Sequence, residues 1–250
     1  MATGADAAQE NEDDPGLGDP RRRTHQGEHR VPPAVAVVVA AVVYALLPSS
    51  LTVGPRFVVP VVEGVLLVAL VATNPLRLVR QTWASRWVSA GLAAVMVATN
   101  LFSLGLLVVA VADPKASAGS LLAAAMQVWL TNVIGFALLY WELDRGGPVA
   151  RRALPRPDLP RADFRFPPDE DHDAIEEVRR GSSKVAGWVP VFVDYLYVSL
   201  TNSSAFSPTD TMPLTSRAKM LMGLEATAAL LTSLIVVARA VGSLGGGGGG

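Results

Sequence analysis

The 250-residue chain contains no cysteine, which excludes disulfides, thiolate catalysis and cysteine-ligated zinc or iron–sulfur centres. It is also short of charge: 17% of its residues are charged, against about 25% in ordinary soluble domains. Its net charge of -1 gives no basic surface of the kind that displaces phosphate counterions, so nucleic acid is not an expected partner. Glycine-rich phosphate loops, zinc-protease motifs and supported Ser-His-Asp arrangements are all missing, and two of the three histidines, His25 and His29, lie near the N-terminus with no nucleophile or base beside them. These absences lead to the expectation of a non-enzymatic protein with no cofactor and no metal site.

What the chain has instead is apolar length. Half of its residues are hydrophobic. A hydrocarbon core about 30 Å thick takes roughly 20 residues of helix. Four stretches meet that requirement: Pro33–Leu51, Phe57–Thr73, Trp87–Ala112 and Leu121–Trp141, and Ala218–Val241 makes a fifth despite Lys219 and Glu225. Val185–Leu200 is short, carries Pro190, and sets Asp194 among Phe192, Tyr195 and Tyr197, so it either crosses or re-enters. The expected fold is an all-α polytopic transmembrane helical bundle with six hydrophobic segments.

Around these segments, residues 1–30 are polar and acidic and read as a disordered tail, and 243–250 as a flexible glycine-rich end. Residues 142–184, rich in proline and charge, read as an irregular cytoplasmic loop with at most a short helix over Asp173–Arg180. Lysine and arginine are retained on the cytoplasmic side. Six crossings with both termini inside leave only Arg56, Lys115, Arg217 and Lys219 outside, which favours a crossing by residues 185–200 and a cytoplasmic location for both termini. That topology gathers Trp83, Trp87, Tyr140, Trp141 and Trp188 at the inner interface. The richness in alanine, valine and arginine suggests a bacterial plasma membrane, with the lipid bilayer as first partner.

Polar groups inside spans are the candidate functional residues, because each must find a partner where there is no water. Glu63 stands alone in an apolar run, and could serve packing or an ion or proton path. Thr99, Asn100 and Ser103, and Gln127, Thr131 and Asn132, occur at helical spacings that can place them on facing surfaces, and interhelical hydrogen bonding is their expected role. Ala90, Ala94 and Ala98 form a small-residue stripe expected to pack closely. The acidic run Asp169–Asp173 has suitable metal ligands but is contiguous, and reads as a solvated loop.

The segment 194–242 carries a more specific pattern: Asp194-Tyr195-Leu196-Tyr197, then Asp210-Thr211-Met212-Pro213, then Glu225 and Ala238-Arg239. It resembles the pore region of bacterial potassium channels, about a fifth of the chain. The resemblance implies a short pore helix, a filter, an inner helix and several copies around one axis. The filter departs from that family, because Ser203-Ser204-Ala205-Phe206-Ser207 has neither glycine and Pro208-Thr209 precedes Asp210. Left-handed backbone costs non-glycine residues roughly 1 to 2 kcal/mol each, which argues against a potassium-selective carbonyl ring here. The expected function is therefore channel-like or transporter-like, passing a small ion through a degenerate pore loop, with Glu63, Asn100, Asn132, Asp194, Phe206, Asp210 and Glu225 as polar or pore-lining candidates. The alternative is a non-transporting scaffold or partner-binding subunit.

Overall fold

The computed structural model describes residues 27–51, 60–62, 64–65, 68, 77–78, 83–113, 116–170, 175–205 and 210–245. Within them the chain is mostly helical: α1 Val31–Ala45, α2 Trp83–Val111, α3 Ala118–Leu143, α4 Pro148–Ala153, α5 Glu176–Arg180, α6 Phe192–Ala205 and α7 Ser216–Gly245. Two short antiparallel pairings join distant segments. Glu28–His29 (β1) pairs with Arg77–Leu78 (β2), and Phe164–Arg165 (β3) pairs with Met212–Pro213 (β4).

Local chemistry sets the helix ends. Pro32 and Pro33 open α1, where their missing N–H groups cost nothing. Ser117 caps α3, its Oγ accepting from the Ser120 N–H at 3.3 Å, and Thr215 caps α7 by accepting from the Ala218 N–H at 3.2 Å. After α3 the chain reverses through Arg145, Gly146 and Gly147, at φ 50°, 82° and 95°. Glycine takes such angles freely, whereas Arg145 holds a left-handed conformation at a cost of about 1 to 2 kcal/mol.

Among the described residues, three helices are long and apolar enough to cross a membrane: Ser85–Val111, Ala118–Gly146 and Ser216–Arg239. α3 is the centre of the bundle, antiparallel to both α2 and α7. Ser89 of α2 meets Glu142 of α3, and Asn100 meets Asn132. Arg217 of α7 reaches the Leu143 carbonyl, and Arg239 reaches the carbonyl of Val111. The contact face of α2 is Leu92, Ala93, Met96, Val97, Leu104 and Leu107, all buried. Gly135 of α3 sits so close to it that an added Cβ would lie 3.3 Å from Val97 Cγ2. The expected stripe of Ala90, Ala94 and Ala98 is not this seam, since Ala94 and Ala98 are exposed. Between helices in lipid, close packing and hydrogen bonds replace the hydrophobic driving force, so the tight seam lies where Val97 meets glycine.

Two ends of the bundle follow. One, the arginine-rich end, holds β1, the starts of α1, α2, α6 and α7, and residues 144–170 and 175–191. The far end holds the close of α1 and α2, the start of α3 and Arg239 of α7. α1 and α2 run in the same direction, so the chain crosses back between Leu51 and Arg77; residues 60–62, 64–65 and 68 are helical there. The expected span Phe57–Thr73 otherwise lies outside the described residues, as do Glu63 and the interval 206–209.

The expected crossing at residues 185–200 does not occur. α6 begins beside Glu28, whose carboxylate accepts from the Phe192 N–H at 2.7 Å, and the chain is back at the same end by Met212, opposite Arg165. The Leu214 N–H donates to the Asp163 carbonyl at 2.7 Å, and Thr215 and Arg217 donate to the Asp163 carboxylate. Residues 210–216 and the described residues of the loop 142–184, expected on opposite sides, therefore share one end. α7 then runs to the far end, so the described beginning and end of the chain lie at opposite ends, not on one side as the charge count suggested.

Candidate functional site

The structure gathers a polar cluster in the bundle around Glu225. This residue occupies α7 at the level where α3 and α6 both touch it, and it is 0% exposed. The Tyr140 hydroxyl from α3 and the Asn202 side-chain amide from α6 donate to Oε2 at 2.6 and 2.7 Å. Ser199 and Ser203, also from α6, donate to Oε1, Ser203 at 3.1 Å. Ser199, Asn202 and Ser203 share one face because their spacing of three and four residues follows the helical repeat. Two of them are anchored twice: Ser199 Oγ is 2.8 Å from the Val133 carbonyl, and Asn202 Nδ2 is 3.0 Å from that of Met222.

A second polar layer lies further along α3. Asn100 Nδ2 donates to Asn132 Oδ1 at 3.1 Å, and the Thr131 hydroxyl donates to Asn100 Oδ1. Asn132 Nδ2 in turn lies 3.5 Å from the Glu225 carbonyl, linking both layers. The interhelical role expected for Asn100, Thr131 and Asn132 matches these contacts. Thr99 satisfies itself on the carbonyls of Val95 and Met96, one turn back along α2.

At the arginine-rich end the segment after α3 is packed rather than loose. Asp144 is 0% exposed and accepts from the backbone N–H of Asp163 at 2.7 Å and from the Tyr195 hydroxyl at 2.6 Å. Arg151 donates to the carbonyls of Trp141 and Asp144 and stacks its guanidinium 5.0 Å from the Tyr195 ring centre. Phe164, Phe166, Tyr195 and Trp188 pack edge to face around it. The Pro-rich stretch, expected to be irregular, is thus docked on α6 through an aromatic cluster and one buried carboxylate. Tyr140 and Trp141, expected as interfacial rings, are buried as well, whereas Trp87 is exposed.

Asp169 joins Arg145 in an ion pair and accepts from Ser183 Oγ at 2.6 Å. Burial alone would raise its pKa, but the Arg145 guanidinium, Ser183 and the Phe166 N–H hold the carboxyl below the usual carboxylate range. Glu170 pairs with Arg165 at 2.8 Å. Two members of the acidic run are thereby paired with arginine.

Of the expected site residues, the structure brings Asn100, Asn132 and Glu225 together. Asp194 is a local cap: its Oδ2 accepts from the Val191 N–H at 2.7 Å and starts α6. Asp210 is exposed at the arginine-rich end, ahead of β4. Glu63 and Phe206 lie outside the described residues. Sequence reasoning missed Tyr140, Ser199 and Asn202 as the partners of Glu225. The three-and-four spacing of Ser199, Asn202 and Ser203 was the available signal, since a polar stripe on a helix beside a membrane span needs a buried counterpart. Comparison with protein-family models, with curated proteins and with solved structures gives no match for this chain.

Proposed function

We propose that this chain is a channel-like membrane protein, with α6 as a pore helix, the residues after it as the pore loop, α7 as the inner helix and a small ion as the species that passes. The observation that carries the reading is that α6 enters the bundle and the chain leaves through the same end, with β4 returning onto β3. Ser204, exposed near the close of α6, needs protein or a water-filled cavity around it at membrane depth. Several copies around a shared axis supply that, so the working unit in this reading is a homo-oligomer. The missing glycines argue for a passage that does not select potassium.

The arginine-rich end faces the cytoplasm in this reading. Among the described residues, Arg239 is the one Lys or Arg that lies at the far end. The pore loop then enters from the cytoplasmic side of what we take to be a bacterial plasma membrane. Purified protein in liposomes should dissipate ion gradients or pass current, and Glu225→Gln should alter that flux. No flux under any gradient or voltage would end the reading.

One observation favours the alternative of a non-transporting scaffold subunit. Both oxygens of Glu225 are taken by donors of the same chain, so the carboxylate acts as a clamp on α6. That reading expects a stable partner to co-purify and the Glu225→Gln variant to change assembly, with no flux to lose.

A further inference from the structure

A cleft of about 310 Å³ opens in the segment that follows α3, away from the Glu225 cluster. Arg145, Arg156 and Arg165 reach it from three separate turns of the chain, and among the described residues Asp169 is the acidic member of its wall. Two of the guanidinium groups are open to solvent: Arg156 is exposed, and the Arg165 side chain is 43% exposed. Arg145 is buried and engaged by Asp169. Both oxygens of Asp169 are in turn occupied, Oδ1 by Arg145 and by Ser183 Oγ, Oδ2 by Arg145 and by the Phe166 N–H at 3.2 Å. This carboxylate therefore cancels charge inside the wall and leaves the mouth of the cleft to Arg156 and Arg165.

Each of those two is steadied by a contact that a ligand need not break. Arg156 Nη2 donates to the Trp188 carbonyl at 3.0 Å, and Arg165 Nη2 reaches the Met212 sulfur at 3.3 Å. Arg165 also meets Glu170 at 2.8 Å, but that pair is part-exposed, where water screens it and a doubly charged ligand competes with it. Guanidinium forks at a shared opening suit a compact anion with several acceptor oxygens, and a phosphate monoester has three such oxygens and about two negative charges. The rest of the rim is apolar: Leu159, Pro160 and Leu214 complete it, with Leu214 49% exposed. A bare phosphate would leave that rim uncovered, whereas the volume is that of a small organic ligand.

We infer that this cleft binds an organic phosphate monoester, its phosphoryl oxygens on Arg156 and Arg165 and its non-polar body against Leu159, Pro160 and Leu214. The site goes beyond the pore reading and does not depend on it.

The test titrates the full chain, purified in detergent at fixed ionic strength, with phenyl phosphate in a calorimeter. Binding should saturate, and at an affinity at least about threefold above that of inorganic phosphate, because the ring covers the apolar rim. Arg156→Gln and Arg165→Gln, both at exposed positions, should each weaken phenyl phosphate by about tenfold. Arg161→Gln removes an exposed arginine of the same segment that does not line the cleft, and should leave the affinity within about twofold. The same titration in lipid discs separates the sources of the phosphoryl group. Phosphatidic acid is itself a monoester, and phosphatidylglycerol carries the same sign of charge without being one. Affinity lost only in phosphatidic acid discs assigns the group to a lipid, and equal affinity in both assigns it to a soluble molecule. No saturable binding, an equal loss in all three variants, or inorganic phosphate binding as tightly as phenyl phosphate would overturn the site.

Discussion

Replacing Glu225 by alanine removes the acceptor for four side-chain donors at once. Two of the four keep a partner, because Ser199 also reaches the Val133 carbonyl and Asn202 that of Met222. The Tyr140 hydroxyl and Ser203 Oγ lose theirs. A buried donor left unmatched is worth about 1 to 3 kcal/mol, so the change should destabilise the bundle by about 2 to 6 kcal/mol before any cavity is counted. Glutamine keeps one acceptor oxygen and turns the other into a donor facing Tyr140 and Asn202 or the two serines, so its effect should be about half as large. Reversible unfolding in mixed micelles, followed by helix signal, reads these differences. A cycle pairing Tyr140→Phe with Glu225→Gln should return a coupling of about 1 kcal/mol. Glu225→Ala within about 0.5 kcal/mol of the parent would refute the clamp, since that is the range of surface substitutions away from any special feature.

Two further outcomes follow from the segment after α3. At position 145 alanine retains the left-handed backbone and loses the Asp169 ion pair, whereas glycine loses the pair but removes the strain; Arg145→Gly should therefore melt above Arg145→Ala, by about 1 kcal/mol. Asp169 is held more acidic in the folded chain than in the unfolded one, so its contribution is complete above the ordinary carboxylate value of about 3.9 and declines as pH falls through its lower native value. Protection factors of residues 164–170 and 175–186, with the intrinsic pH dependence of amide exchange divided out, should be flat from neutral pH down to about pH 4 and fall only below it, and Asp169→Asn should abolish that step.

Much of the architecture was legible in the amino-acid order, and the misreadings have physical causes. The long spans announced themselves by length and lack of charge, and the amides of Asn100 and Asn132 by spacing on neighbouring helices. Glu225 stood out because a carboxylate in a span demands an explanation. The direction of α6 was misread because a 14-residue helix is compatible with either crossing or returning, and only pairing between Phe164–Arg165 and Met212–Pro213, some 47 residues apart, separates the two. The charge rule favours six crossings only where the last helix is held to end inside. Freed of that condition, a returning α6 leaves fewer basic residues at the far end than six crossings left outside. Prolines and charges in the segment after α3 point to a loose loop. They do not rule out docking, and Phe164, Phe166 and Trp188 were the apolar groups that should have signalled it.

The returning path of α6 is the claim on which the rest depends, and the absence of native cysteine makes it directly measurable. Single cysteines at Glu170, Asp210 and Asp113, tested in sealed, oriented membranes with a reagent that cannot cross, report the side of each position. The account predicts that positions 170 and 210 react from one side and position 113 from the other. Positions 210 and 113 reacting together, with 170 on the opposite side, would mean that α6 crosses the membrane, and would contradict it.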